Sequence, residues 1–143
     1  MVETTLLKEP LTPWMIDIGS RLTEELDRMG LPLIASFWLY DSESNDWLLR
    51  IASPENEARG SRPVYEKIAE AIKAIGLSRA EFPLKHVSVI DSREDLVRAL
   101  QAEFKEGPAT TPKRWGRGAI RMVYVDDAYI YLVNQPAAPS PNN

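Results

Sequence analysis

Apolar residues recur every three or four positions in three segments of the chain, which is the spacing of one face of an α-helix. The first segment begins at Thr12 and Pro13, which favour a helix start because threonine caps free amides and proline fits the first turn. Its apolar positions are Trp14, Ile18, Leu22, Leu26 and Met29. The pattern predicts a helix from Pro13 to Met29, ended by Gly30 and Pro32.

Two further helices are predicted by the same spacing. The second helix stops at Gly76, and its apolar face consists of Val64, Ile68, Ile72 and Ile75. The third helix begins near Ser92 and Asp95 and is closed by Gly107 and Pro108. Its apolar positions are Leu96, Val97, Leu100 and Phe104. Between these helices, Ser78 and Glu81 have the spacing of a capping box. Because Pro83 follows at once, we expect a single turn there.

Strand signals lie on both sides of the second helix. The run Leu33 to Tyr40 is almost continuously apolar, which is typical of a strand covered on both faces, whereas Trp47 to Ala52 alternates as a strand near an edge does. The turn-forming residues between them predict a hairpin. Residues 86–91 form a third strand signal, and Ala119 to Val125 with Ala128 to Val133 predict a second hairpin around two aspartates.

The predicted order of elements is α-β-β-α-β-α-β-β. Amphipathic helices and hairpins that each need one covered face indicate an α+β fold, with a mixed five-stranded sheet, two hairpins and three packed helices. We expect one domain over residues 1–133 and a flexible tail, rich in proline and asparagine, over 134–143. The large aromatic residues expected between sheet and helices are Phe37, Trp38, Tyr40 and Trp47.

Composition excludes several classes of function. The chain has 143 residues and a net charge of −4, so its summed field does not attract nucleic acid or an anionic membrane. It has no cysteine, which excludes disulfides, thiolate metal sites and a cysteine nucleophile. No apolar run approaches the roughly 20 residues of a transmembrane helix, and the first residues lack the pattern of a signal peptide. The expected location is the cytoplasm.

Candidate catalytic and metal-binding residues are few. The loop from Asp41 to Asp46 alternates acidic residues as a calcium loop does, but that motif needs glycine and glutamate where Asp46 and Ala52 stand. A solvated hairpin loop is therefore expected. His86 is the single histidine, which excludes sites built from several histidines and favours a structural or surface role. No glycine motif for phosphate is present, and we predict neither a metal nor a cofactor.

A weaker feature is a possible anion site at Arg59 and Arg62, which precede or open the second helix. The first amides of a helix and its dipole favour a negative group. The competing interpretation is an ordinary helix start, which is common.

The most distinct local feature is the basic segment, which comprises Lys113, Arg114, Trp115, Arg117 and Arg121. It has no acidic residue among its cations. Three interpretations stay open: a solvated loop whose tryptophan folds onto the core, a protein-interaction patch, or a surface for single-stranded nucleic acid. The negative net charge disfavours the last of them.

The first hairpin, with Gly60, Val64 and Tyr65 and the stretch DDAYIYLV near the end of the chain, resembles a group of small bacterial proteins of unknown function. The resemblance covers most of the chain. It implies a free-standing protein of one domain, and it assigns no activity, cofactor or catalytic residue.

The sequence by itself does not state a function. Its patterns favour a small, cytoplasmic, non-enzymatic binding or adaptor domain whose partner is a protein, including a second copy of the chain. Binding would use the basic segment or an exposed strand edge. The alternatives are a nucleic-acid-associated protein that uses the basic segment, and an enzyme whose ionisable groups converge only in the fold.

Overall fold

The computed structural model describes residues 8–104 and 113–135. The helices are α1 (Pro13–Arg28), α2 (Pro54–Arg59), α3 (Ser61–Ala74) and α4 (Asp95–Glu103), with a 3-10 turn at Leu84–His86. The strands are β1 (Ala35–Asp41), β2 (Asp46–Ala52), β3 (Val87–Ile90), β4 (Lys113–Trp115), β5 (Gly118–Ile120), β6 (Val123–Val125) and β7 (Ala128–Val133).

Five of the strands form one sheet in the order β3-β2-β1-β7-β4. Only the β2 and β3 pair is parallel, and the other neighbours are antiparallel. The predicted α+β class and mixed five-stranded sheet are therefore confirmed. The first hairpin is also confirmed, with Tyr40 opposite Trp47 and Asp41 opposite Asp46.

The second hairpin lies at a different place from the one predicted. The chain reverses at Arg121 and Met122, both with positive φ, so that β5 and β6 pair with each other in a separate two-stranded sheet. Strand β7 pairs with β1 and β4 instead, and β4 lies where a loop was predicted. The prediction was wrong because the reversal carries no glycine, which is the usual signal of a two-residue turn.

Helix α2 was not predicted, whereas the capping box at Ser78 and Glu81 was. Helix α2 forms within a predicted loop, where the Ser53 hydroxyl accepts the Glu55 amide hydrogen at 3.2 Å and Pro54 opens the first turn. The predicted capping box is present: the Ser78 amide donates to the Glu81 carboxylate at 3.0 Å, and the Glu81 amide donates to the Ser78 hydroxyl at 3.2 Å. Gly107 and Pro108, predicted to close the third helix, lie outside the described residues.

The sheet is covered on both faces, as predicted for its central strand. Trp38 and Trp47 belong to the core beneath α1 and α3, and Phe37 belongs to the core beneath α4 and the β5–β6 hairpin. Of the four aromatic residues expected inside, only Tyr40 is half-buried. The predicted role of these rings as core residues is thus largely confirmed.

A close approach at Gly19 sets α1 against the sheet. A Cβ atom at this position would lie 2.6 Å from Trp38 Nε1 and would also collide with the Tyr131 hydroxyl. The neighbouring turn of α1 is tied to β1, because the buried Thr23 and Ser36 hydroxyls share a hydrogen bond of 2.7 Å. The close approach at Gly19 and the Thr23–Ser36 hydrogen bond together place the start of α1 over the end of the sheet, where the candidate site lies.

The two residues that follow β7, Asn134 and Gln135, are hydrogen-bonded to the rest of the domain. The Asn134 amide donates to the Ile34 carbonyl at 2.7 Å, and the Gln135 side chain donates to the carbonyls of Gln101 and Phe104. The remainder of the predicted tail, residues 136–143, lies outside the described residues. Among the helices of the described ranges, none is long and apolar enough to span a bilayer.

Candidate functional site

A cleft of about 490 Å³ opens at one end of the sheet, between the segment before α1, the β1–β2 turn and the chain before β3. We call it the aromatic cleft. Its lining residues are Glu9, Pro10, Thr12, Trp14, Met15, Trp38, Ser44, Asn45, Asp46, Trp47, Glu81, Phe82 and His86. The volume lies within the range of small-molecule and side-chain binding sites.

The two core tryptophans form the inner part of the cleft. Each is only 1% exposed, and their ring N–H groups point to protein acceptors. Trp38 Nε1 donates to the Met15 carbonyl at 3.1 Å and to the Tyr131 hydroxyl at 3.0 Å, and Trp47 Nε1 donates to the Glu9 carbonyl at 2.7 Å. Because these donors are already used and both rings are buried, the two tryptophans form the floor of the cleft, and Trp14 is the tryptophan of the lining that stays exposed.

The Tyr131 hydroxyl on β7 links Trp38 to α1 through two hydrogen bonds. It donates to the Ile16 carbonyl at 2.6 Å while it accepts from Trp38. Burial raises the pKa of Tyr131 far above its usual value, so the hydroxyl stays protonated and keeps both hydrogen bonds. The ring of Trp38 is therefore held rigidly between α1 and β7.

A connected set of rings forms the wall of the cleft. Phe82 lies edge-on to Trp14 at 6.3 Å and to Trp38 at 6.2 Å between ring centroids, and its ring is 5.9 Å from the His86 imidazole. Trp14 is 47% exposed. The sequence pattern placed Trp14 in the buried stripe of the first helix, and this is corrected: Trp14 lies on the first turn of α1, where the described chain leaves half of its ring uncovered.

The rim of the cleft is acidic. Glu9, Asp46 and Glu81 line it and are exposed. Among the described lining residues there is no lysine or arginine. Aromatic faces and carboxylates both attract cations, since a ring carries negative charge density above its plane. The lining therefore favours a ligand that combines apolar surface with positive charge.

Asn45 fastens two walls of the cleft to each other. Its side-chain oxygen accepts the Tyr40 hydroxyl at 2.6 Å and the Glu9 amide hydrogen at 2.9 Å. The loop itself is closed by Asp41, whose carboxylate accepts the Glu43 amide and the Ser44 hydroxyl. The predicted hairpin turn is thus present, and it also contributes Ser44, Asn45 and Asp46 to the cleft.

The basic segment is organised differently. Arg114 forms two hydrogen bonds of 2.6 Å with the Asp127 carboxylate, which also accepts Lys8 Nζ at 2.5 Å. Burial opposes the charged form of Asp127, which is 5% exposed, but the bonds from Arg114 and Lys8 outweigh burial and lower its pKa. The same pair raises the pKa of Arg114. Asp127 thereby joins β4, β7 and the segment before α1.

The other cations of the basic segment also have partners. Arg117 Nε donates to the Tyr124 hydroxyl at 3.0 Å, and Arg121 lies 3.3 Å from the Glu103 carboxylate. Lys113 Nζ lies 5.5 Å from the Phe104 ring centroid. Trp115 is half-buried and packs on the core beneath α4. This contact agrees with the interpretation in which the tryptophan folds onto the core. The backbone differs from that interpretation, because residues 113–115 form strand β4 and not a loop.

The remaining predicted residues are placed apart from each other. Arg59 lies 3.4 Å from the Glu55 carboxylate within α2, and Arg62 is exposed on the first turn of α3. His86, by contrast, lines the aromatic cleft. No group of three or more histidine, aspartate or glutamate residues that could hold a metal ion occurs within residues 8–104 and 113–135.

Sequence reasoning missed the cleft because its parts lie far apart in the chain. Trp14 belongs to α1, Asp46 to β2 and Phe82 to the chain before β3, and periodicity describes only one element at a time. One local signal was available: Phe82 stands between a capping box and Pro83, outside any predicted helix or strand.

No protein-family model matches the chain, and neither a curated protein nor a solved structure matches it.

Proposed function

We propose that this protein is a non-enzymatic, cytoplasmic binding domain, and that the aromatic cleft receives a basic and apolar segment of a partner protein. The observation that carries the proposal is the joint presence of the half-exposed Trp14 ring and three carboxylates around one opening. Rings attract a cationic side chain through their faces, and rim carboxylates add electrostatic attraction.

A binding function is favoured over catalysis by how the ionisable groups are arranged. Among the hydrogen bonds of the described residues, none joins the His86 imidazole to a hydroxyl or a carboxylate. General-base activation of a nucleophile needs such a pair. The ring contacts of His86 with Phe82 instead make it part of the aromatic wall.

The cleft also supports the proposal better than the basic segment does. Asp127 neutralises Arg114, and Glu103 neutralises Arg121. Charges that are paired within the molecule contribute less to steering a ligand. The rim carboxylate of Glu9, in contrast, has no ion pair within the described residues, so it is free to meet a cation.

Titration with two short synthetic peptides tests the proposal. The first peptide carries two arginines around one leucine, and the second replaces both arginines with glutamate. Tryptophan fluorescence should report binding of the arginine peptide only. Trp14→Ala should weaken it about tenfold, which corresponds to about 1.4 kcal/mol and lies within the range of a partly desolvated cation–π contact.

Two further variants locate the effect. Glu9→Gln removes one rim charge and should weaken binding by about threefold, more at low salt than at high salt. Tyr124→Ala removes an exposed aromatic ring outside the cleft and should leave binding unchanged. Equal binding of the two peptides, or unchanged binding by Trp14→Ala, would contradict the proposal.

A further inference from the structure

Two buried side-chain atoms of the described residues have no hydrogen-bond partner, Arg50 Nε and Ser92 Oγ. A buried polar atom without a partner destabilises a fold, so most such atoms are paired with protein or water. A water molecule satisfies a hydroxyl such as that of Ser92. Arg50 is different, because its buried Nε–H belongs to a permanently charged guanidinium in the middle of β2. Its retention there is a reason to look for a ligand.

The positive charge of Arg50 is also unpaired. In the part of the chain that the structure describes, no carboxylate forms an ion pair with it and no acceptor takes a hydrogen bond from its guanidinium. Arg114 differs in this respect, since Asp127 accepts two of its hydrogen bonds. A guanidinium presents a planar fork of N–H donors that matches the oxygens of a carboxylate or a phosphate. Arg50 therefore offers an unused group for binding an oxyanion.

The strand beside Arg50 adds a second polar group. In the register of the sheet, Arg50 stands between Phe37 of β1 and Ser88 of β3. Residues that pair in this way share one face of the sheet. Ser88 is half-buried, and its hydroxyl has no hydrogen bond with a described residue. A hydroxyl can donate to an oxyanion that the neighbouring guanidinium holds.

This part of the sheet is less covered than the rest of the same face. Ala52 and Ile90, the next residues of β2 and β3 on that face, belong to the core beneath α4. Arg50, Ser88 and Leu48 are each only half-buried, and Leu48 belongs to neither core cluster. An apolar side chain thus lies on the same face as the two unpartnered polar groups. The arrangement is on the face of the sheet opposite the two core tryptophans of the aromatic cleft.

We propose that Arg50, Ser88 and Leu48 form a binding site for a small molecule that carries a carboxylate or phosphate group on an apolar body. The guanidinium and the Ser88 hydroxyl hold the oxyanion, and Leu48 supports the apolar part. This site is separate from the aromatic cleft, so it does not rest on the proposed function.

An NMR titration of the full chain tests the inference. The Nε–H group of Arg50 gives its own signal in a ¹H–¹⁵N spectrum, identified by its loss in Arg50→Lys. The probes are octanoate and octyl phosphate, and sodium chloride at equal ionic strength is the control. At least one probe should move the Arg50 signal and saturate, whereas chloride should not. The probe that binds more tightly identifies the preferred head group.

The apolar part of the site has its own comparison. Acetate has the head group of octanoate without its chain, and it should bind about tenfold more weakly because it leaves Leu48 uncovered. Leu48→Ala should weaken octanoate binding about threefold and leave acetate binding unchanged. Equal affinities of the wild type for acetate and octanoate would remove Leu48 from the site.

Variants of the polar groups locate the oxyanion. Arg50→Lys keeps the charge but loses the planar fork, and it should weaken binding about tenfold. Ser88→Ala removes one donor and should weaken binding about threefold. The matched control is Arg62→Lys, which changes an exposed arginine on the first turn of α3 and should bind as the wild type does.

Thermal unfolding separates a binding role from a structural one. Arg50→Met keeps an unbranched apolar side chain and removes the unpartnered Nε, so it should raise the thermal midpoint of the protein while it abolishes binding. An arginine with only a structural role would lower the midpoint on replacement, and the wild type would then show no saturable binding.

Three outcomes would overturn the inference. The first is an Arg50 signal that neither octanoate nor octyl phosphate moves more than chloride does. The second is Arg50→Lys binding with the affinity of the wild type. The third is an equal loss of binding in Arg62→Lys, which would mean that the probes respond to net charge and not to a site.

Discussion

The aromatic cleft and the basic segment both combine tryptophan with charged side chains, but they use those charges differently. In the basic segment, Arg114 meets the buried carboxylate of Asp127, and Arg121 meets Glu103. In the cleft, the carboxylates of Glu9 and Asp46 stand at the rim of an opening that no described lysine or arginine lines, although Lys8 and Arg114 lie over the Trp47 ring. Charge that is paired inside the molecule stabilises the fold, and charge left at an opening can recognise a ligand.

The same contrast holds for the tryptophan rings. Trp115, for which the sequence left a core contact and an interaction surface both open, packs on the core. Trp14 was expected to mark a buried stripe, yet nearly half of its ring is open. Residue type therefore gives little information about function here, whereas the position of each ring relative to the sheet gives a great deal.

The largest expected effect concerns stability within the cleft itself. Trp38→Ala should lower the free energy of unfolding by about 3–5 kcal/mol, because it empties a buried site and removes the N–H donor to the Tyr131 hydroxyl. Trp14→Ala should lower it by less than about 1 kcal/mol, since its ring is half exposed. Urea unfolding at neutral pH measures both. Equal losses would show that Trp14 is a core residue and that the cleft is only an imperfection of packing.

A smaller effect is expected where the basic segment meets Asp127. Asp127→Asn keeps the shape of the side chain and should lower the free energy of unfolding at pH 7 by about 1–2 kcal/mol, a modest value because Arg114 and Lys8 are half exposed. The pKa of Asp127 is lowered in the folded state. Its contribution is therefore present above the unfolded pKa of about 3.9 and is lost as the pH falls through the folded pKa.

Urea unfolding of wild type and variant at several pH values checks this sign. The difference between them should be full at pH 7 and should shrink as the pH falls below about 3.9. Asp126→Asn is the matched control, since the described partner of its carboxylate is the exposed Tyr124 hydroxyl. A difference that grows towards acid pH would mean that the ion pair does not stabilise the folded chain.

The smallest expected effect concerns nucleic acid. The wild-type chain should show little retention on single-stranded DNA at low salt, and Lys113/Arg114/Arg117→Ala should change it little, because these cations have partners within the fold. The control replaces Lys67, Lys73 and Arg79, which are exposed elsewhere. Strong retention on single-stranded DNA that falls steeply with salt, and that disappears only in Lys113/Arg114/Arg117→Ala, would show that the basic segment binds nucleic acid.

The sequence was sufficient for the elements whose signals are local. Helix α1 starts at Thr12 and Pro13 as predicted, because capping and proline geometry act within one turn. The β1–β2 hairpin was predicted because two apolar runs flank a polar turn. The reversal at Arg121 and Met122 was missed, since its conformation opposes the local preference of its own residues.

What the sequence by itself determined is thus the α+β class, the mixed sheet and the identity of most core residues, all of which follow from periodic burial along single elements. The tertiary structure decided which charges are paired and which ring stays open. Asp127 pairs with Arg114 and Lys8, and Trp14 contacts Phe82, only because folding brings distant segments of the chain together. Pairing and exposure depend on distances between elements, and no pattern along the chain contains those distances.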